Sequence, residues 1–146
     1  MRTTLERPRA VESRAAAKAY QLWYSPCMSE PGDNSPILSV AFFASSAGNE
    51  PVREWLLGLS RDDRHAVGFD VKTAQYGWPL GMPLIRKLEP GLWEVRSRIA
   101  DGIARVIFTV DGSTMVLLHG FVKKSQKTPA VDLKTAKQRL SDLRKE

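Results

Sequence analysis

Cysteine is almost absent from this chain: Cys27 is the only one among 146 residues, which excludes an internal disulfide and fits a reducing cytoplasm. Histidine is as scarce. His65 and His119 are the only two, and with a single cysteine they leave no set of zinc-spaced ligands. No apolar run approaches the ~18–20 residues that a membrane span requires. Basic residues do stand near the N-terminus, at Arg2, Arg7 and Arg9, but no apolar stretch follows them, so no secretory signal is expected. Internal repeats and low-complexity tracts are missing too. With 42% hydrophobic and 26% charged residues, the composition is that of a soluble globular domain large enough to bury a core.

Cationic charge is plentiful and unevenly spread. The formal net charge is +6. Residues 1–36 carry 5 basic against 4 acidic residues, residues 37–83 carry 4 against 5, and residues 84–146 carry 13 against 7. The last segment therefore holds the whole excess, an electrostatic footprint suited to nucleic acid or an acidic protein.

Residues 1–36 read as an N-terminal extension and linker. Ala10 to Trp23 favours a helix, since Ala15-Ala16-Ala17-Lys18-Ala19 has high intrinsic propensity. Pro31-Gly32-Asp33-Asn34-Ser35-Pro36 then breaks regular structure. Met28 stands just before that cluster, so residues 1–27 are expected to be an upstream extension, and the domain proper spans 37–146.

Ile37 to Phe43 is short, apolar and strand-like. Glu50-Pro51 opens a helix that carries Val52, Trp55, Leu56 and Leu59 on one face. Ser60 is a plausible N-cap for a second helix with Val67, Val71 and Ala74 inward and Phe69 on its flank. The two make an αα-hairpin. Gly77-Trp78-Pro79-Leu80-Gly81-Met82-Pro83 is a loop, being broken by two prolines and two glycines. Strands follow at Leu84–Leu88, Leu92–Ile99, Ile103–Val110 and Thr114–Val122, punctuated by Asp101-Gly102 and Asp111-Gly112. A helix from Ala130 to Lys145 closes the chain. The order predicts an α+β fold, with helices on one sheet face and the other face open.

Two-residue turns at both Asp-Gly pairs would set Arg98 opposite Arg105 and Arg96 opposite Ile107. One face then holds Trp93, Val95, Ile99, Val106, Phe108, Val110, Met115, Leu117, His119 and Phe121. The other carries Glu94, Arg96, Arg98, Arg105 and Thr109 among Ile107, Val116 and Leu118. Like charges opposed across a strand pair cost a few tenths to ~1 kcal/mol, so an arginine pair there points to an outside anion. Arginine's planar fork binds phosphate or carboxylate bidentately. Arg86 and Lys87 on the preceding strand, and Lys123, Lys124 and Lys127 after the last one, add cations for a phosphate backbone; a solvated loop is the alternative for the three lysines. His119 falls by parity in the core, His65 faces solvent, and Trp55, Trp78 and Trp93 read as core residues.

Five segments occur in order: Pro51-Val52-Arg53-Glu54-Trp55-Leu56, Gly77-Trp78-Pro79-Leu80-Gly81, Leu92-Trp93-Glu94-Val95-Arg96, Ala104-Arg105-Val106-Ile107-Phe108, and Leu118-His119-Gly120-Phe121-Val122-Lys123-Lys124 through Pro129. Together they resemble the HigB-like, phage-derived branch of the RelE/ParE toxin superfamily, from about Ser39 to Leu143. The resemblance implies a RelE-like α+β fold: an N-terminal strand and αα-hairpin packed on an antiparallel β-meander, with a C-terminal helix. It implies a cytoplasmic type II toxin, a ribosome-dependent endoribonuclease that cleaves mRNA by 2′-OH attack without metal or other cofactor. Its partners would be mRNA on the ribosome and a cognate helix-turn-helix antitoxin. By the same resemblance Arg96 and Arg105 would clamp the phosphate. Lys123 and Lys124 would position the RNA backbone, one of the two serving as an acid when desolvated, and Glu94 would be either an orienting partner or a base. Arg86, Lys87, Arg98, Lys123 and Lys127 would hold the RNA backbone. RelE-type enzymes often place a tyrosine or histidine near the C-terminus; this chain has neither after His119. A gyrase-poisoning toxin of the ParE branch, a non-catalytic RNA-binding module and a structural phage-derived protein are the rival readings.

Overall fold

The computed structural model describes residues 36–123 and 128–145. The helix expected within residues 10–23, and Lys124 and Lys127, lie outside the described residues. Among those described, strand β1 (Ser39–Phe42) leads to helices α1 (Pro51–Leu57) and α2 (Arg61–Gly77). Strands β2 (Ile85–Glu89), β3 (Leu92–Ile99), β4 (Gly102–Asp111) and β5 (Thr114–Lys123) follow, then α3 (Ala130–Arg144). The sheet order is β1-β5-β4-β3-β2.

This is an α+β fold with a mixed sheet. The strand β1 does not pack on a purely antiparallel meander but joins it, parallel to β5, with Val40 opposite Met115. Sequence pattern hides this because Val40, Ala41, Phe42 and Phe43 are all buried, as in a strand covered on both faces.

The hairpin helices cover one face. Pro51 starts α1, and the Ser60 hydroxyl caps α2 by accepting from the Asp63 N–H at 3.1 Å. Val52, Leu56, Val67, Val71 and Ala74 are fully buried against Val95, Val106, Phe108, Met115 and Leu117. Trp78, Trp93 and Phe108 pack edge-to-face and stacked at 5.1–6.0 Å between ring centres. The Ser97 hydroxyl donates to Asp70 at 2.5 Å and ties β3 to α2. The Trp55 ring lies directly on Gly120, where any side chain would overlap it.

The other face is only half open, contrary to the expectation of a bare sheet side. The buried residues Ala136 and Leu140 seat α3 on Leu92, Ile107, Val116 and Leu118, apolar positions scattered among the cations. A Lys137–Glu89 ion pair at 3.3 Å fastens the same helix to β2.

Both hairpin registers differ from expectation by two residues. The first two-residue turn is Ala100–Asp101, with Gly102 already in β4 opposite Ile99. The second is Gly112–Ser113, where Gly112 takes φ +64. A shift of two keeps every side chain on its predicted face, so Arg96 rather than Arg98 stands opposite Arg105. One further irregularity does change faces. Ile107 pairs with His119 but Phe108 pairs with Leu117, leaving Leu118 as an extra residue. Past this bulge His119 and Phe121 turn away from Leu117 and onto the cationic side, correcting their expected place in the core.

Candidate nucleic-acid interface

From the residues under the edge of α3 outward, the second face is built in rows. One row runs His119, Ile107, Glu94 and Arg86 across β5, β4, β3 and β2; the next runs Phe121, Arg105 and Arg96; the third runs Lys123, Ile103 and Arg98. Successive rows lie roughly 7 Å apart, two residues along a strand. Alternation separates the two neighbours on β2: Arg86 faces Glu94, whereas Lys87 faces Trp93 on the opposite side, its Nζ 6.0 Å from that ring.

Within this array Arg105 and Glu94 are fully buried. Arg105 Nη1 lies 3.5 Å from Glu94 Oε2 and donates to Thr128 Oγ1 at 3.4 Å. The Thr128 hydroxyl in turn donates to Glu94 Oε1 at 2.8 Å, so the segment leading into α3 is clipped onto the pair. Burial pushes the Arg105 guanidinium below its ordinary pKa; Glu94 opposes that shift, and Arg96 and Arg86 add to it. Glu94 is thus the ion-pair partner of Arg105, while Arg96 and Arg86 repel that guanidinium. Arg96 is half-buried, and its Nε is buried with no hydrogen-bond partner among the described residues. Arg98 and Lys123 are exposed and Arg86 half-buried.

His119 is held from both sides. Its Nε2 lies 2.7 Å from Asp132 Oδ1, and Arg139 Nη1 lies 3.2 Å from its Nδ1. A guanidinium can only donate, so Nδ1 accepts and Nε2–H donates to Asp132. Arg139 also donates to the Leu118 carbonyl at 2.9 Å, and burial lowers its pKa. Both ring nitrogens are thus engaged, and the ring clasps the bulge to α3. His65 is half-buried on α2, across the sheet from the cations.

The sequence reading missed Thr128, Asp132 and Arg139. Thr128 stood in plain view inside the last motif, but its partners come from β3 and β4, and the bulge that brings His119 to Asp132 has no turn residue to announce it. Among the described residues no three His, Cys, Asp or Glu side chains gather into a group able to hold a metal ion. No helix there is long and apolar enough to cross a membrane.

Residues 54–141 match the family model of phage-derived Gp49-like proteins (DUF891). The chain belongs to the Gp49-like family. In this Gp49-like protein the match runs from inside α1 to inside α3, and so takes in all three cationic rows. No curated protein matches the chain.

Proposed function

We propose that this Gp49-like protein is the toxin of a type II toxin–antitoxin pair and acts as an endoribonuclease of the RelE/HigB type on ribosome-bound mRNA. Gp49-like proteins are RelE-like toxins associated with such pairs, which supports the toxin reading. The observation that carries the nucleic-acid reading is Arg96 facing Arg105 across β3 and β4, with Arg86, Arg98 and Lys123 in the flanking rows and Glu94 paired to Arg105. An anion between Arg96 and Arg105 would relieve that like-charge contact.

In this mechanism the ribose 2′-oxygen attacks the adjacent phosphorus, the bond from phosphorus to the 5′-oxygen breaks, and a 2′,3′-cyclic phosphate and a 5′-hydroxyl remain. Arg96 takes the non-bridging oxygens, where negative charge grows in the transition state. Arg105 supports it from below. Glu94, sealed from solvent, holds Arg105 in place instead of taking the 2′-proton, which passes to a water or to a group of the ribosomal RNA. Arg98, Arg86 and Lys123 grip neighbouring phosphates; Lys87, on the other face, does not. Lys124 is the acid for the 5′-oxygen, and a helix-turn-helix antitoxin silences the site.

One observation favours a second reading, a non-catalytic RNA-binding module: Glu94 is buried and both His119 nitrogens are occupied, which leaves few groups to move a proton. End-mapping of cellular mRNA after induction separates the two. The nuclease reading expects new 5′-hydroxyl ends with wild type and none with Arg96→Ala. Binding to translating ribosomes without new ends selects the module.

A further inference from the structure

Trp55, Trp78 and Trp93 all pack on the α1–α2 side, away from the cationic rows, and so are not placed to stack on a bound base. The bulge in β5 places a different aromatic among those rows. Phe121 shares a row with Arg105 and Arg96 and stands one row from Lys123. Phe121 is half-buried at the rim of the cluster under α3, whereas Phe43 is buried within it. On one side the Phe121 ring stacks on His119, with centres 5.5 Å apart and planes inclined by 24°. His119 is fixed by Asp132 and Arg139, so the backing does not have to be ordered when a ligand arrives.

We infer that Phe121 is a stacking platform for an unpaired nucleobase of single-stranded RNA, whose adjoining phosphates lie on Arg96, Arg98 and Lys123. This rests on the RNA reading above and adds a base contact to it. A cationic track beside a braced aromatic face is the arrangement that single-stranded nucleic acid uses: cations follow the backbone, and the ring takes any base because every base offers a flat face. A duplex keeps its bases stacked on one another and cannot present one to Phe121. The platform therefore selects single strands without selecting sequence.

The test compares a short fluorescent single-stranded RNA with a ribose-phosphate oligomer of equal length that lacks bases, by anisotropy on the full-length protein. Wild type is expected to bind the RNA about tenfold or more tighter than the base-free oligomer. Phe121→Leu should lose that preference while keeping its affinity for the base-free oligomer, and Phe121→Tyr should retain it. Equal binding of both oligomers by wild type overturns the inference, and so does an undiminished preference in a folded Phe121→Leu variant. The wild-type comparison decides the matter even if that variant fails to fold. If wild type binds neither oligomer, the RNA reading fails and takes this inference with it; if both bind equally and Arg96→Ala weakens both, the RNA reading survives and only the platform falls.

Discussion

Arg96 on β3 and Arg105 on β4 are direct cross-strand partners, one half-buried and the other sealed from solvent. Two guanidinium groups so placed repel each other, and the nearest carboxylate, Glu94, is already committed to Arg105 and Thr128. The fold tolerates this because Arg105 is neutralised locally by Glu94, and under the proposal above Arg96 is the cation that meets the phosphate.

Removing Arg96 should therefore separate stability from binding. Arg96→Ala is expected to leave the fold as stable as wild type, or more stable by a few tenths to ~1 kcal/mol, because a like-charge contact is lost. RNA affinity should fall about tenfold or more. Thermal melts and anisotropy on the same samples check both; a large loss of stability would mean that Arg96 is a structural residue.

Arg105 and Glu94 should behave in the opposite way. Arg105→Met alone strands a buried carboxylate, at a cost of about 3–5 kcal/mol. Adding Glu94→Leu should recover most of it, since an apolar pair of similar volume suits a buried site. Urea unfolding of the two single variants and the double variant gives the coupling directly. Additive losses would contradict a paired role.

How much of this was legible beforehand follows from what each signal reports. Alternation along β3 and β4 reports only which side of the sheet a residue faces, so Arg96, Arg98 and Arg105 were grouped correctly although both turns were misplaced by one residue, which shifts each register by two. The cap at Ser60 and the helix start at Pro51 are local, and both stand. Bulges are not local. One extra residue at Leu118 moved His119 and Phe121 from the expected core to the cationic side, and nothing in Val116 to Phe121 marks it. The burial of Arg105 could not be read either, because its partners, Glu94 and Thr128, stand 11 residues before it and 23 after it. The covering of half the sheet by α3 was foreshadowed by Ala136 and Leu140, whose apolar faces needed a counterpart.

Gly120 should tolerate no side chain. Gly120→Ala forces the Trp55 ring off β5, an overpacking cost of about 1–3 kcal/mol. Pairing it with Trp55→Leu should return part of that stability, as read by thermal unfolding. A neutral single variant would show that the ring can move freely.

The clasp at His119 should govern α3. His119→Ala or Asp132→Ala removes a 2.7 Å contact between β5 and the first turn of that helix. A loss of about 1–2 kcal/mol is expected, in keeping with hydrogen bonds to charged groups. Hydrogen exchange should speed up in residues 130–144 and remain slow in α2. Unchanged protection of α3 would assign the anchoring to Ala136 and Leu140 alone.

The most direct test of the phosphate-gripping site is the salt dependence of single-stranded RNA binding by wild type and Arg96→Ala. Each phosphate contact contributes about 0.7 to the slope of log affinity against log salt. If Arg96 holds a phosphate, the variant's slope should be shallower by about that amount. Parallel lines for the two proteins, or wild-type affinity that does not respond to salt, would contradict the account.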